Sequence, residues 1–344
     1  MNENKLSAGK IARLVGNYAW ALGMLFIGSF FGGLVSVFLG VFIYGFMTGE
    51  DSTPMILALS MSDTSMLGID GYAASGTSAL YSAVMYFTDI GIWIVALLYL
   101  RFSKTSRPIL KTLTHSTAGN TWANLGLGLL VGFAMNALCV LVALGSGSFS
   151  LSFVGFNLVG VLLLFVVVFV QSSAEELLCR CYLYQKTLRT TGSHVATIAI
   201  TSIAFGLLHI FNNGVTVLAI VNVILVGVLF GLMVWKLDSP WMAFAAHTAW
   251  NFTQNILFGL PNSGNTVPFA IFGITSGTTP TSGFAYDSVF GVEGSGIATI
   301  VLLAGCALVW FIGNKRNNKP TDIWVGEPNE QNSQAESLPQ APTV

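Results

Sequence analysis

The sequence predicts an all-α, polytopic membrane protein of about eight transmembrane helices, with both termini in the cytoplasm. Three observations carry this. The chain of 344 residues is 53% hydrophobic and only 8% charged, whereas soluble domains run near 25% charged. Several apolar runs reach the roughly 20 residues needed to cross a bilayer. The lysines and arginines fall in alternate loops, as the positive-inside rule requires of a chain that weaves through a membrane.

The expected spans are 17–46, 79–101, 122–145, 151–172 (continuing as helix to about 189), 195–212, 215–236, 240–259 and 297–313. The first is long and rich in glycine, which suits a tilted or bent helix. No small-residue cleavage site follows it, so it reads as a retained span and not a signal peptide. Lys5, Lys10 and Arg13 precede it. Arg101, Lys104, Arg107 and Lys111 lie between spans two and three. Lys186 and Arg189 follow span four, Lys236 follows span six, and Lys315, Arg316 and Lys319 follow span eight. All fall on one side if the N-terminus is cytoplasmic. The opposite loops hold Glu50, Asp51, Asp63, Asp70, Asp287 and Glu293 and no lysine or arginine.

The chain divides accordingly. Residues 1–150 supply three helices and an outer loop, 48–78. Residues 151–259 form a helical core, and 260–319 hold a second outer loop, 260–296, with the last span. The polar stretch from 320 to 344 reads as a disordered cytoplasmic tail. A net charge of −1 excludes nucleic-acid binding by bulk electrostatics. Cys139, Cys179, Cys181 and Cys306 sit in or beside apolar segments, which argues against a disulfide framework. Cys179 and Cys181 form only C-x-C, which reads as two small buried hydrophobes.

An ionisable residue inside a span costs about 3 kcal/mol on insertion scales and marks a functional site by default. The candidates are Asp89 in span two, Glu175, Glu176 and Arg180 after span four, His209 in span five and His247 in span seven, with Asn251 as a polar neighbour. On an α-helix Glu176 and Arg180 share a face and can pair. Glu175 points about 100° away from Glu176 and escapes that pairing. A carboxylate in an apolar pocket without a dedicated cation suits a general base working near neutral pH. The plainer reading is that both glutamates snorkel at the cytoplasmic interface. Asp89 belongs to no motif and reads as a cavity-lining or helix-bonding residue, not a catalyst.

Phe205 and His209 stand one turn apart in "FGLLH", and His247 and Asn251 one turn apart in "HTAWN". A lone histidine in a span is more often a packing residue. Two histidines, an in-register asparagine and a glutamate pair supply a base, an imidazole to orient water, and donors for an oxyanion. That is a peptidase set without a serine or cysteine nucleophile. Depth agrees only in part: Glu175 lies about 16 Å inside Lys186, His247 about 10 Å inside Pro240, and His209 about 22 Å from His194, at ~1.5 Å per residue.

Glu175-Glu176-x-x-x-Arg180, Phe205-x-x-x-His209 and His247-x-x-x-Asn251 together resemble the three-motif signature of the CPBP family, the type II CAAX-prenyl-endopeptidase and bacteriocin-processing (Abi) proteins. The match covers residues 171–255. The resemblance implies a polytopic helical fold, 151–259 as its catalytic core, and a water-filled cavity open toward the cytoplasm. It implies that Glu175 activates water, His209 positions it, and His247 and Asn251 stabilise the oxyanion. Glu176 and Arg180 would order the site, and Phe205 would pack behind it. Cys179 and Cys181 flank the motif arginine where many bacterial relatives carry an aromatic residue and glycine. The implied setting is a bacterial cell membrane, and the implied partners are the lipid bilayer and a peptide or membrane-protein substrate.

No cofactor is expected. If zinc is bound, Glu175, His209 and His247 are its ligands, although H-E-x-x-H is absent. Two other functions stay open. One is a non-catalytic immunity or scaffold protein of the same fold. The other is a proton-coupled carrier, against which no internal repeat is visible.

Overall fold

A computed structural model describes residues 7–316 and 319–325. Among these residues, eleven α-helices and two short strands run in the order α1 (Ala8–Thr48), α2 (Thr53–Met61), α3 (Gly76–Phe87), α4 (Ile90–Phe102), α5 (Trp122–Gly145), β1 (Leu151–Phe153), α6 (Leu158–Glu176), α7 (Tyr184–Thr191), α8 (His194–Leu207), α9 (Val217–Leu237), α10 (Pro240–Asn251), β2 (Phe272–Ile274) and α11 (Gly296–Arg316). A π-helical segment, Leu177–Leu183, joins α6 to α7, and another, Phe252–Leu257, continues α10. Among the described residues, six helices are long and apolar enough to cross a membrane: Ala8–Thr48, Gly76–Phe102, Trp122–Gly145, Leu158–Thr191, Val217–Leu237 and Gly296–Arg316. Two of the eight expected spans are short. α8 has 14 residues, about 21 Å of helix against a core of about 30 Å, and α10 has 12 residues before its π-helical extension.

The helix starts follow from capping. Thr121, Asn157, Ser193, Thr216 and Ser239 each accept a backbone N–H three residues on, satisfying donors that the first turn leaves unpaired. Asn157 explains why residues 151–157 are not the start of span four. The helix begins only after this cap, and 151–153 pair with β2 as an antiparallel strand instead. Span five likewise ends at Leu207, so His209 sits in the turn beyond the helix. Span two is interrupted at Asp89, which stands at the start of α4.

α10 is the central helix. Of its 12 residues only Trp241 is not fully buried. Its alanines admit close neighbours, and α5 meets it through Gly128 and Gly132. A Cβ on Gly132 would lie 2.1 Å from the carbonyl oxygen of Ala246. The largest core packs α5, α9, α10 and α11 together. A second joins α1, α4 and the π-helical segment after Glu176.

The basic side chains gather at one end. There Lys186 donates to the Thr105 carbonyl, Arg189 lies over Trp324, and Lys236 lies over Trp235 and Trp310. The loops 48–78 and 260–296 meet at the other end, where Ala73 N–H donates to Pro268 O. Glu293, in the outer loop 260–296, is only 4% exposed, because the loop folds inward to meet Trp250 and Gln254. One sequence expectation is corrected at the basic end. Residues 320–325, expected in a disordered tail, are packed. Thr321 bonds Asp238, Lys111 donates to Ile323 O, and Ile323 is buried. Residues 326–344 of the expected tail lie outside the described residues.

Candidate active site

Four elements bring the motif residues together. The C-terminal end of α6 carries Gln171, Ser172, Glu175 and Glu176, and the π-helical segment carries Arg180. The exit of α8 carries Phe205 and His209. α10 carries His247 and Asn251. Both π-helical segments begin immediately after motif residues, Glu176 and Asn251. Such insertions widen a helix locally and recur at functional sites.

Glu176 is the hub. Its Oε1 lies 2.9 Å from His247 Nδ1, and its Oε2 lies 3.0 Å from Arg180 Nε. Glu176 and Arg180 are at most 1% exposed. The Arg180 guanidinium lies 4.3 Å from the Phe205 ring centroid and 5.5 Å from that of Phe230, a stacking arrangement suited to a desolvated cation. Phe205 in turn touches both histidine rings, at 4.9 Å from His209 and 6.2 Å from His247. Of the residues expected to order the site, Glu176 therefore contacts His247 directly, and Arg180 packs against Glu176 and Phe205, which contact the histidines.

Both imidazoles are oriented through Nδ1. A carbonyl oxygen can only accept, so the 2.9 Å contact of His209 Nδ1 with Phe205 O puts a proton on Nδ1. A carboxylate makes the same demand of His247 Nδ1. Each ring therefore offers Nε2 for further chemistry.

Glu175 stands apart from the hub. Gln171 Nε2 donates to its Oε1 at 2.5 Å. Glu175, His209, His247 and Asn251 line one cavity of about 270 Å³, together with Tyr86 and Asn262. On its other side Glu175 borders an apolar groove of about 490 Å³ between α1 and α8, lined by Tyr18, Leu22, Leu25, Leu178, Leu207 and Phe211. Residues 262–267 of the 260–296 loop line the same cavity.

Asn251 is enclosed by hydrogen bonds. Its Nδ2 donates to Gln171 Oε1 at 3.2 Å and to Ser172 Oγ at 3.1 Å, and its Oδ1 accepts from Asn262 Nδ2 at 3.0 Å. The alternative zinc set does not fit. Among the described residues no three His, Cys, Asp or Glu side chains are grouped to hold a metal ion, so Glu175, His209 and His247 do not make a ligand triad. Asp89 lies at the break between α3 and α4, 3.5 Å from Ser29 Oγ.

Several site residues escaped the sequence reading. Gln171 could have been found, since it precedes Glu175 by one helical turn and therefore shares its face. Asn262 and Glu293 carry no local signal, because loop closure alone brings them in.

Residues 157–253 match the family model for type II CAAX prenyl endopeptidases of the Rce1-like kind. The matched stretch runs from the cap of α6 to just past Asn251 and includes all seven motif residues, so the resemblance read from the motifs holds over the same segment. Searches of curated proteins and of solved structures found no match.

Proposed function

We propose that this chain is an intramembrane endopeptidase that hydrolyses a peptide bond with water activated by Glu175. Glu175 takes a proton as the water oxygen attacks the scissile carbonyl carbon, and His209 holds that water through Nε2. The oxygen of the tetrahedral intermediate is stabilised by Nε2–H of a doubly protonated His247, with Asn251 beside it. Collapse breaks the C–N bond, and the proton held by Glu175 passes to the leaving amine. Glu176 and Arg180 hold His247 in place, and Phe205 backs both imidazoles.

The observation that carries this reading is the shared cavity, which Glu175, His209, His247 and Asn251 all line despite coming from three separate stretches of the chain. The family match over 157–253 supports a peptidase. The apolar groove beside Glu175 supports a substrate, peptide or membrane protein, that partitions into the bilayer. By the positive-inside rule the basic end of the bundle faces the cytoplasm, in a bacterial cell membrane.

The test uses full-length protein purified in detergent and a quenched-fluorescence peptide library. Wild type should cleave, and Glu175→Gln and His209→Ala should not. Cleavage that survives both substitutions would remove the mechanism. Protection of cells by a Glu175→Gln protein would favour the immunity reading instead.

A further inference from the structure

Four side chains form a continuous, directional chain of hydrogen bonds from the 260–296 loop to Glu175. Asn262 Nδ2 donates to Asn251 Oδ1 at 3.0 Å, Asn251 Nδ2 to Gln171 Oε1 at 3.2 Å, and Gln171 Nε2 to Glu175 Oε1 at 2.5 Å. Every amide donates toward the carboxylate. Chains of this kind polarise one another, and each member fixes the orientation of the next.

The far end of the chain is a built element. Asn262 and Asn265 exchange backbone hydrogen bonds of 2.8 and 2.9 Å around Ser263 and Gly264. Those two residues have φ of 46° and 84°, the left-handed pair that a two-residue type I′ turn requires. A non-glycine residue held in this region is strained, and it persists where its surroundings over-determine it. The surroundings here do so. A Cβ on Gly264 would lie 2.2 Å from Asn213 O, Asn212 Nδ2 donates to Ser263 O at 3.0 Å, and Gly264 N–H donates to Phe290 O at 3.1 Å. The turn is clamped between the exit of α8, which carries His209, and the face of α10 that carries Asn251.

We propose that Asn262 and Gln171 are positioning residues of this site, the two ends of an amide relay through which the clamped turn orients Asn251 and aims a donor at Glu175. This rests on the reading of Glu175 as the base. The relay has a consequence for Asn251. Both of its N–H groups are taken up by Gln171 and Ser172, so its work in the resting protein is to hold the base in register. Asn262 has two N–H donors and uses one on Asn251, so it brings a further donor to the wall of the same cavity.

Polarity gives the test. Asn262→Asp keeps the size and the turn preference of the residue but cannot donate when ionised. Asn251 must then swing its amide to face the new carboxylate, Gln171 must follow, and a carbonyl oxygen replaces the N–H aimed at Glu175. The full-length protein in detergent is assayed against the same quenched-fluorescence peptides, alongside Glu175→Gln. For Asn262→Asp, kcat should fall by about a hundredfold, the lower end of the loss seen when a single oxyanion donor is removed. KM should stay within about twofold. Gln171→Leu should lose a similar factor. Because both act through one chain, the double variant should be no slower than the slower single one.

An Asn262→Asp protein with wild-type kcat overturns the relay. So does a double variant whose losses multiply, or a loss of kcat matched by an equal loss of folded protein in a thermal melt. If Glu175→Gln cleaves as well as wild type, or wild type cuts nothing, the peptidase reading itself falls and takes this inference with it.

Discussion

Glu176 and His247 are 71 residues apart in sequence and 2.9 Å apart in the fold. The bond ties the end of α6 to the centre of α10. The second glutamate of the motif, not the first, therefore holds the buried histidine, and it does so while also holding Arg180. Its neighbour Glu175 turns the other way, as a step of about 100° per residue dictates, and meets the cavity. Two adjacent carboxylates thus have separate duties because the helix points them in different directions.

Arg180 should be the most costly single residue of the site for stability. Removing it leaves the Glu176 charge buried with His247 alone, and breaking a buried ion pair typically costs about 3–5 kcal/mol. Arg180→Met should therefore lower the unfolding midpoint in detergent sharply. Adding Glu176→Gln should recover a good part of the loss, since His247 can then give up its second proton and no buried charge is left without a partner. A single Arg180→Met variant as stable as wild type would show that the pair does not hold the fold.

Glu175→Gln should have the opposite profile. Among the described residues Glu175 bonds only Gln171, and it faces open cavity and groove, so the melt should stay near wild type. Removal of a general base costs roughly 10²–10⁴ in rate, and kcat should drop by at least the lower figure. A steady-state assay beside a thermal melt decides the matter. Equal losses in both would make Glu175 a structural residue.

These contrasts mark how much the sequence could say. Helix positions and the three motifs were legible because apolar run length and 3.6-residue periodicity are local properties. Glu176 with Arg180 could be paired on paper, since residues four apart share a face. His247 could not be assigned to Glu176, because that contact depends on how α6 and α10 cross. The end of α8 at Leu207 takes only about 3 Å off the depth counted for His209, so residue counting could not place it, and only the fold puts His209 in one cavity with Glu175 and His247. The loop 260–296 was opaque. Its Gly, Ser and Thr content suits an exposed connection, yet Asn262 reaches Asn251 and Glu293 reaches Trp250, and no periodic pattern announces an inward fold of a loop.

The crossing of α5 and α10 offers a test of packing against chemistry. Gly132 sits against Ala246, the residue before His247, with no room for a Cβ. Gly132→Val should cost about 1–3 kcal/mol by overpacking. It should also push the α10 backbone outward, and a displacement near 1 Å costs about 10²-fold in rate. Gly126, also on α5, has no heavy atom within 4 Å of the place a Cβ would occupy, so Gly126→Ala should be neutral or gain up to about 1 kcal/mol of helix propensity. Melting and cleavage measured on both would tell. Equal behaviour of the two glycine variants would mean that the crossing is looser than its geometry.

Glu293 gives the pH prediction. Burial is the largest influence and pushes its carboxyl up to about 7, while bonds from Gln254 and Trp250 pull the other way. The unfolded chain releases this proton near the ordinary value of 4.5. Between those two values the folded state binds more protons than the unfolded one, so stability falls as pH rises. The contribution is complete below about pH 4.5 and gone once pH has passed about 7. The melting midpoint of wild type should thus decline across this window, and Glu293→Gln, which cannot ionise, should decline less. Because Glu293 touches Trp250 and Gln254, the loosening should centre on the junction of α10 with the 260–296 loop. Amide exchange there should speed up in wild type at pH 8 relative to pH 5, after correction for the intrinsic rate. Parallel melting curves for the two proteins would mean that Glu293 titrates as an ordinary carboxylate, and that the loop is held by its neutral contacts alone.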